Sequence, residues 1–384
     1  MSNIKILLTT DTFSPAINGV VISVKNLYQQ LTKRGHEVKI LTLSQTGFSY
    51  KEGDIYYIKS FNVRVYPGAR GTLSYKNKFI NEIIKWSPDI VHSHTEFCTL
   101  IHAKHIRKKL RVPHIHTYHT MYEDYLGYVF KGRLISRRRA MDLIRRLLWS
   151  VDEIITPTQK AKGSLIAYGI RNPISIIPTG IDLSRFKTEH RHTKEAKDLK
   201  DKLGINPEDK VLIFLGRLGK EKNIDEIIMN IKELNKKYPL KMLIVGGGPH
   251  MENLQSLVDN LDLKKEVIFT GMVPPEEVPL YYSLANIFVT ASTSESQGLT
   301  YIEALASGLP VVCKYDEAVE GLIMNGINGY MYRNEGDFIK CVNLLFCSNE
   351  DIHQLRSKAK ASVERFSLNV FATNIERLYL SHIK

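Results

Sequence analysis

Short apolar runs of strand length recur along the chain, each bounded by polar or turn-forming residues. Residues 4–8, 37–43, 90–92, 114–117 and 154–157 read as short buried strands, and stretches with helical spacing lie between most of them, among them 20–35 and 78–86. A polar, charged stretch follows over 186–202, and then the pattern restarts. Residues 211–215, 241–245, 267–270, 287–289 and 310–313 read as a second set of strands, with helical spacing over 224–238, 251–261 and 299–307. Buried strands alternating with helices predict βαβ units and parallel sheets. The expected class is α/β, with two Rossmann-like doubly wound domains facing across a cleft and joined near residues 183–202. The first spans 1–185, with a C-terminal helix over 366–384 packing back on it, and the second spans 186–365. Ligands of open α/β sheets bind beyond the carboxyl ends of the strands, so that cleft is the expected active site.

Composition changes this picture little. The 384 residues suit two domains at about 100–200 residues each. The start of the chain lacks the basic, apolar and small-residue sections of a signal peptide, and no stretch approaches the roughly 20 apolar residues of a membrane span. Cys98, Cys313, Cys341 and Cys347 lack CxxC spacing and read as reduced, buried thiols, which predicts a cytosolic protein. The net charge of +13 is informative because it is one-sided. Residues 1–185 hold 28 Lys and Arg against 13 Asp and Glu, whereas the remainder hold 25 against 27. The excess peaks at Lys104, Arg107, Lys108, Lys109 and Arg111, then at Lys131, Arg133, Arg137, Arg138, Arg139, Arg145 and Arg146. Such a field attracts nucleic acid or acidic lipid, although a solvated face that only maintains solubility has the same composition.

Four segments bear candidate chemistry. Phe214-Leu-Gly216-Arg217 through Lys222-Asn223 is a strand, a glycine turn with cations, and a helix capped by Asn223. Arg217 and Lys222 beside a helix start would stabilise charge growing on a diphosphate leaving group. Thr293-Ser-Glu295 through Gly298-Leu299-Thr300 to Glu303 is a polar loop entering a helix. Its two carboxylates, eight residues apart, can both accept bonds from ligand hydroxyls while phosphates sit on the helix start between them. Gly246-Gly-Gly-Pro249 ends a strand but is not a GxGxxG fingerprint, and by itself it is a weak binding signal. In the loop 11–20, Gly19 near the first helix start can present a bare N–H to a phosphate.

Gly216-Arg217 with Glu221-Lys222-Asn223, the pair Glu295 and Glu303, Ala306-Ser-Gly308-Leu-Pro310 and Asn325-Gly-Ile-Asn-Gly329 together resemble glycosyltransferase family 4. These are retaining enzymes of the GT-B type, and the resemblance spans nearly the whole chain. It implies that Arg217 and Lys222 bind a donor diphosphate, that Glu295 contacts the donor sugar catalytically, and that Glu303 contacts the ribose. Gly298, Leu299 and Thr300 would lie near phosphates and sugar, Gly19 would close the site, and His119 would act beside the donor sugar. It also implies metal-independent chemistry with no cofactor beyond a nucleotide-sugar co-substrate, in keeping with the absence of an Asp-x-Asp pair.

Within His114-Ile-His116-Thr-Tyr-His119, a metal site could draw in His92 and His94, but no carboxylate or thiol arrangement completes it. A core or strand-edge role is open for His114 and His116. The segment 116–125 particularly resembles bacterial enzymes that glucosylate diacylglycerol. That likeness implies UDP-glucose as donor, diacylglycerol as acceptor, and an anionic membrane surface as partner on the inner face of the cell membrane, with a glycolipid, another lipid-linked or a polymer acceptor and a different nucleotide-sugar donor as the alternative. Leu134, Met141, Ile144 and Leu148 share one helical stripe, adjoined by Arg138, Asp142, Arg145 and Arg146. With Arg137, Arg139, Lys108 and Lys109, these cations suit an interfacial helix, though a helix covering a sheet has the same pattern. No nucleic-acid motif is present, and no nucleic acid is expected as partner.

Overall fold

The computed structural model describes the chain except residues 1–2, 17, 64–68, 75, 122–136, 187, 348–351 and 384. Two compact units emerge, one formed by Met1–Ile181 with Phe366–Lys384, the other by Asp182–Arg365.

The first unit begins with β1 (Lys5–Thr10), α1 (Gly19–Lys33), β2 (Glu37–Leu43), β3 (Tyr50–Glu52) and β4 (Ile55–Ile58). The small hairpin β5 (Phe61–Asn62) and β6 (Arg70–Gly71) follows, then α2 (Lys78–Trp86), β7 (Ile90–Ser93), α3 (Cys98–Leu110) and β8 (His114–Thr117). The series closes with α4 (Arg137–Leu148), β9 (Glu153–Thr156), α5 (Gln159–Ala167) and β10 (Ile174–Ile176). Eight strands form one sheet in the order β10-β9-β8-β7-β1-β2-β4-β3, parallel except for the β3–β4 pair. Side chains alternate across a strand, so Ile6 and Leu8 of β1 pack with Val24, Leu27 and Leu31 of α1. Leu7 points the other way, to Phe79, Ile80 and Ile83 of α2 and Ile106 of α3. Both faces are covered, which is why β1 is apolar at consecutive positions. The Asn18 side chain starts α1 by accepting a 3.0 Å bond from the Val21 N–H. After β1 the chain fills one side with β2 and then crosses to the other with β7, so the strand order reverses at β1/β7.

The second unit comprises α6 (Lys194–Lys202), β11 (Lys210–Leu215), α7 (Ile224–Asn235), β12 (Leu240–Val245), α8 (Met251–Asn260) and β13 (Val267–Gly271). It continues with α9 (Val278–Leu284), β14 (Ile287–Thr290), α10 (Leu299–Ala306), β15 (Val311–Lys314), β16 (Gly329–Tyr332), α11 (Glu335–Cys347) and α12 (Ile352–Ala361). The all-parallel order β13-β12-β11-β14-β15-β16 is that of a nucleotide-binding doubly wound sheet, reversing between β11 and β14. Gly329 starts β16 because a Cβ there would sit 2.1 Å from the Val311 carbonyl oxygen. A last helix, α13 (Leu368–His382), belongs to the first unit.

Beyond the strands read from the apolar pattern, the structure adds β3 to β6, β10 and β16. Each has only two to four residues, too short to show a period.

Candidate active site

The second unit's reversal point gathers two strand ends. Beyond β11, Gly216 adopts φ 154°, and its N–H donates to the Val245 carbonyl at 3.0 Å. A Cβ on Gly246 would lie 1.9 Å from the Gly216 oxygen, and one on Gly248 would lie 2.4 Å from the Leu218 oxygen. The Leu218 N–H in turn donates to Gly247 at 3.0 Å. The glycines 246–248 therefore let two turns lie backbone to backbone, which fixes the Arg217 turn. Arg217 itself is half-exposed, with Nη1 3.7 Å from Glu221 Oε1.

Asn223 does not cap α7 with its side chain as the sequence suggested. It sits in the left-handed region at φ 47°, and its Nδ2 donates to the Ala291 carbonyl at 3.2 Å, tying the first turn to the loop after β14. Across that tie, Lys222 Nζ donates to Glu295 Oε1 at 2.6 Å and lies 3.4 Å from Ser292 Oγ. The two side chains are only 16% and 15% exposed. Low exposure strengthens the pair and holds the Glu295 carboxylate in place.

The loop enters α10 through Gly298 at φ 77°, where a Cβ would meet the Tyr301 ring at 2.8 Å. No side chain caps α10, and Leu299 and Thr300 lie half-buried in its first turn. Glu303 follows one turn in. The Tyr282 hydroxyl lies 3.1 Å from Glu303 Oε2 and 3.2 Å from the Thr300 carbonyl. Burial pushes the Glu303 carboxyl up to about 7, opposed only in part by the Tyr282 bond and the Arg185 charge. A cation–carboxylate pair, an open helix start and a proton-poised carboxyl thus meet at one switch point, the arrangement expected for a nucleotide diphosphate.

In the first unit, histidines crowd the strand ends at the β1/β7 reversal. Ser93 Oγ lies 2.8 Å from both His114 Nε2 and His116 Nδ1, and His116 Nε2 lies 3.2 Å from Glu96 Oε1. His114 and His116 are fully buried members of this lattice, which is the core role left open for them. His92 bonds Tyr379 Oη at 2.5 Å and Thr117 Oγ1 at 2.7 Å, and its ring lies 4.1 Å from that of His94. His94 Nδ1 lies 3.0 Å from His119 Nε2. Burial, then the charge of His116, pushes His119 down to about 3, so it is neutral at physiological pH. His94 Nε2 is buried without a partner. An orphaned acceptor costs less than an orphaned N–H, so the proton of His94 belongs on Nδ1, facing His119. His119 then keeps its own proton on Nδ1 and offers a hydrogen-bond donor. Among the described residues, no group of three His, Cys, Asp or Glu side chains is placed to hold a metal ion. Sequence reasoning noted His94 only as a possible metal ligand and missed Glu96 and the carboxylate of Asp11, whose Oδ1 accepts from the Thr99 N–H at 2.8 Å. Gly19 is the first residue of α1 and is exposed.

Residues 17–185 match the model of Glycosyltransferase Family 4, and residues 195–362 match that of Glycosyl transferases group 1. The chain is 34% identical to alpha-monoglucosyldiacylglycerol synthase of Streptococcus pneumoniae over 99% of its own length and 86% of that protein. It is 32% identical to the synthase of the same name from Acholeplasma laidlawii, over 99% and 97%. The chain belongs to glycosyltransferase family 4. Its fold is that of the GT-B glycosyltransferases. The structure of Anabaena HepE in complex with UDP and glucose superposes with a TM-score of 0.78 at 16% identity, covering 99% of this chain and all of that one. Sucrose-phosphate synthase from Thermosynechococcus elongatus gives 0.75 at 18%, covering 98% of each.

Two expectations for this glycosyltransferase need correction. The apolar stripe of α4 does not lie open for an interface. Ile144 and Leu148 are buried, and Met141 packs with them against Leu100, Tyr118 and Leu165. Leu134, Lys131, Arg133 and the end of the acceptor segment, 122–125, lie outside the described residues, as does the side chain of Arg137. What α4 turns outward is Arg138, Arg139, Arg145 and Arg146, with Leu143 among them at 45% exposure and Trp149, just past the helix, at 78%. Arg145 pairs with Asp142 at 2.8 Å, and Lys108 and Lys109 are exposed on α3. Cys347, read as buried, is exposed, with Sγ 3.0 Å from Tyr238 Oη. No described helix is long and apolar enough to cross a membrane.

Proposed function

We propose that this glycosyltransferase moves α-glucose from UDP-glucose, with retention and without a metal ion or cofactor, to the free hydroxyl of diacylglycerol at the inner face of the cell membrane. The observation that carries the reading is the 2.6 Å Lys222–Glu295 pair at the β11/β14 reversal. It sets a cation for the departing diphosphate beside an acceptor for sugar hydroxyls. The names of two relatives aligned over 99% of the chain support the acceptor, and UDP-glucose bound in HepE supports the donor.

Arg217, Lys222 and the N–H groups of Leu299 and Thr300, behind Gly298, stabilise the diphosphate as it leaves. Glu303 takes the ribose hydroxyls, and Glu295 orients the sugar. Gly19 contributes a bare N–H, and His119, neutral with its proton on Nδ1, acts as a hydrogen-bond donor rather than a base. Electrostatic stabilisation of the leaving group is then the main term. The membrane face is the outward side of α4 and the Trp149 that follows it, where Trp149 and Leu143 enter the headgroup region and Arg138, Arg139, Arg145 and Arg146, with Lys108 and Lys109, meet anionic lipid at about 1 kcal/mol each; Arg137 is assigned to this face from the sequence alone.

The test is product formation from UDP-glucose and diacylglycerol in mixed vesicles with and without anionic lipid. An α-glucosyl product, increased by anionic lipid and reduced at least 100-fold in Glu295→Ala, is expected. Hydrolysis of UDP-glucose without transfer would retain the donor and replace the acceptor. Neither reaction would remove both.

A further inference from the structure

Among the described residues of the second unit are cations that no carboxylate answers. Arg191 lies in the 3-10 turn Thr188–His192, Lys200 in α6 and Arg356 in α12. Nε and Nη2 of Arg191 and Nε of Arg356 are withdrawn from solvent with no hydrogen-bond partner. The turn packs on α6 and α9, and α12 packs on α10. Arg191 is near enough to Arg356 and to Lys200 for their charges to repel. Burial first, and then Arg356, pushes the Arg191 guanidinium down to about 9, and burial lowers Arg356 as well. Three other sheltered cations are answered by carboxylates, Arg34 by Glu376 at 2.7 Å, Lys222 by Glu295 at 2.6 Å and Lys314 by Glu226 at 2.6 Å.

A guanidinium stays protonated even when buried, so two of them together without a counter-charge are stable only if an anion completes the set. Their planar forks match the paired oxygens of a phosphate, and the nearby ammonium adds a third positive charge. The three lie on other elements than Arg217, Lys222 and the start of α10, to which the proposed reaction assigns the donor diphosphate. We propose that Arg191, Lys200 and Arg356 form a second phosphate site, taking either free phosphate or the phosphodiester headgroup of an anionic lipid.

Thermal unfolding of the full chain in potassium phosphate against potassium chloride at matched ionic strength tests this without reading turnover, and so independently of the proposed reaction. Above its Kd, each tenfold of phosphate should raise the midpoint by roughly 3 °C in wild type. The shift should persist in Lys222→Ala and vanish in Arg191→Met and Arg356→Met, with Arg356→Lys as the milder variant if Met does not fold. In chloride, Arg356→Met should melt no lower than wild type, because an unanswered charge is gone. A shift lost in Lys222→Ala and kept in Arg191→Met would overturn the proposal, as would the absence of any phosphate-specific shift. Sedimentation with phosphatidylglycerol vesicles then separates the two sources. Capture weakened in Arg356→Met and competed by inorganic phosphate identifies the headgroup, and equal capture of both proteins identifies free phosphate.

Discussion

Glu303 illustrates how one buried carboxyl can couple donor binding to pH. With its carboxyl raised to about 7, the free enzyme carries it half-protonated at neutral pH. Ribose hydroxyls bond better to the ionised form, so donor binding should expel the proton. Affinity for UDP-glucose, whose doubly esterified diphosphate does not titrate here, should be level above pH 7 and fall up to tenfold per pH unit below it. Glu303→Gln should bind more weakly at pH 8 and lose the slope, as read by calorimetry between pH 5.5 and 8. A slope unchanged in the variant would exclude Glu303 as its source. The residue types of this site were legible because carboxylates and cations stood beside glycines at strand ends. The histidines were harder to separate. His114 and His116 share one face of β8 and are consumed inside, whereas His119 stands past its end. The pairings of His94 with His119 and of Glu96 with His116 left no signal, because the partners are 25 and 20 residues apart in the chain.

At the scale of elements, the apolar pattern located the longer parallel strands, since burial on both faces leaves uninterrupted apolar runs, but not the short parallel strands β4, β10 and β16. It could not say what covers an apolar stripe, and the α4 stripe belongs to the core for that reason. The triple glycine was equally ambiguous, because close backbone approach serves a ligand or a neighbouring turn alike. The structure assigns it to the turn. Gly246→Ala therefore meets both a left-handed φ of 136° and the Gly216 oxygen at 1.9 Å. The Gly216–Leu218 turn must move, at a cost of about 2–4 kcal/mol. The expected outcome is a lower unfolding midpoint together with weaker UDP-glucose binding, measured on the same preparation. Full affinity at reduced stability would show that Arg217 does not depend on that turn.

For the whole molecule, the chain leaves the first unit at Ile181, completes the second and returns at Phe366, where the Ile181 N–H donates to the Phe366 carbonyl at 2.9 Å. The return is legible only as a helical tail, and its docking depends on tertiary partners. Helix α13 buries Phe371, Ile375 and Tyr379 in the first core, and Gly180 lies against it so closely that a Cβ would sit 2.5 Å from that of Phe371. Its polar anchor is Glu376, bonded to Arg34 Nη1 at 2.7 Å and to His36 Nε2 at 3.0 Å. Burial alone would raise this carboxyl, but the bonds and charges of Arg34 and His36 more than reverse that, leaving it below its ordinary value near 4.5. A carboxyl depressed in the folded state binds fewer protons there than when unfolded. Its stabilisation is therefore full above pH 4.5 and is lost as pH falls through the folded value. Glu376→Gln should cost about 3 kcal/mol at pH 7, because Arg34 loses its buried partner, and the difference from wild type should shrink steadily below pH 4.5. Urea unfolding followed at pH 7 and pH 4 decides the matter: a deficit just as large in acid would mean that packing of Phe371, Ile375 and Tyr379, rather than the charge, holds the returning helix.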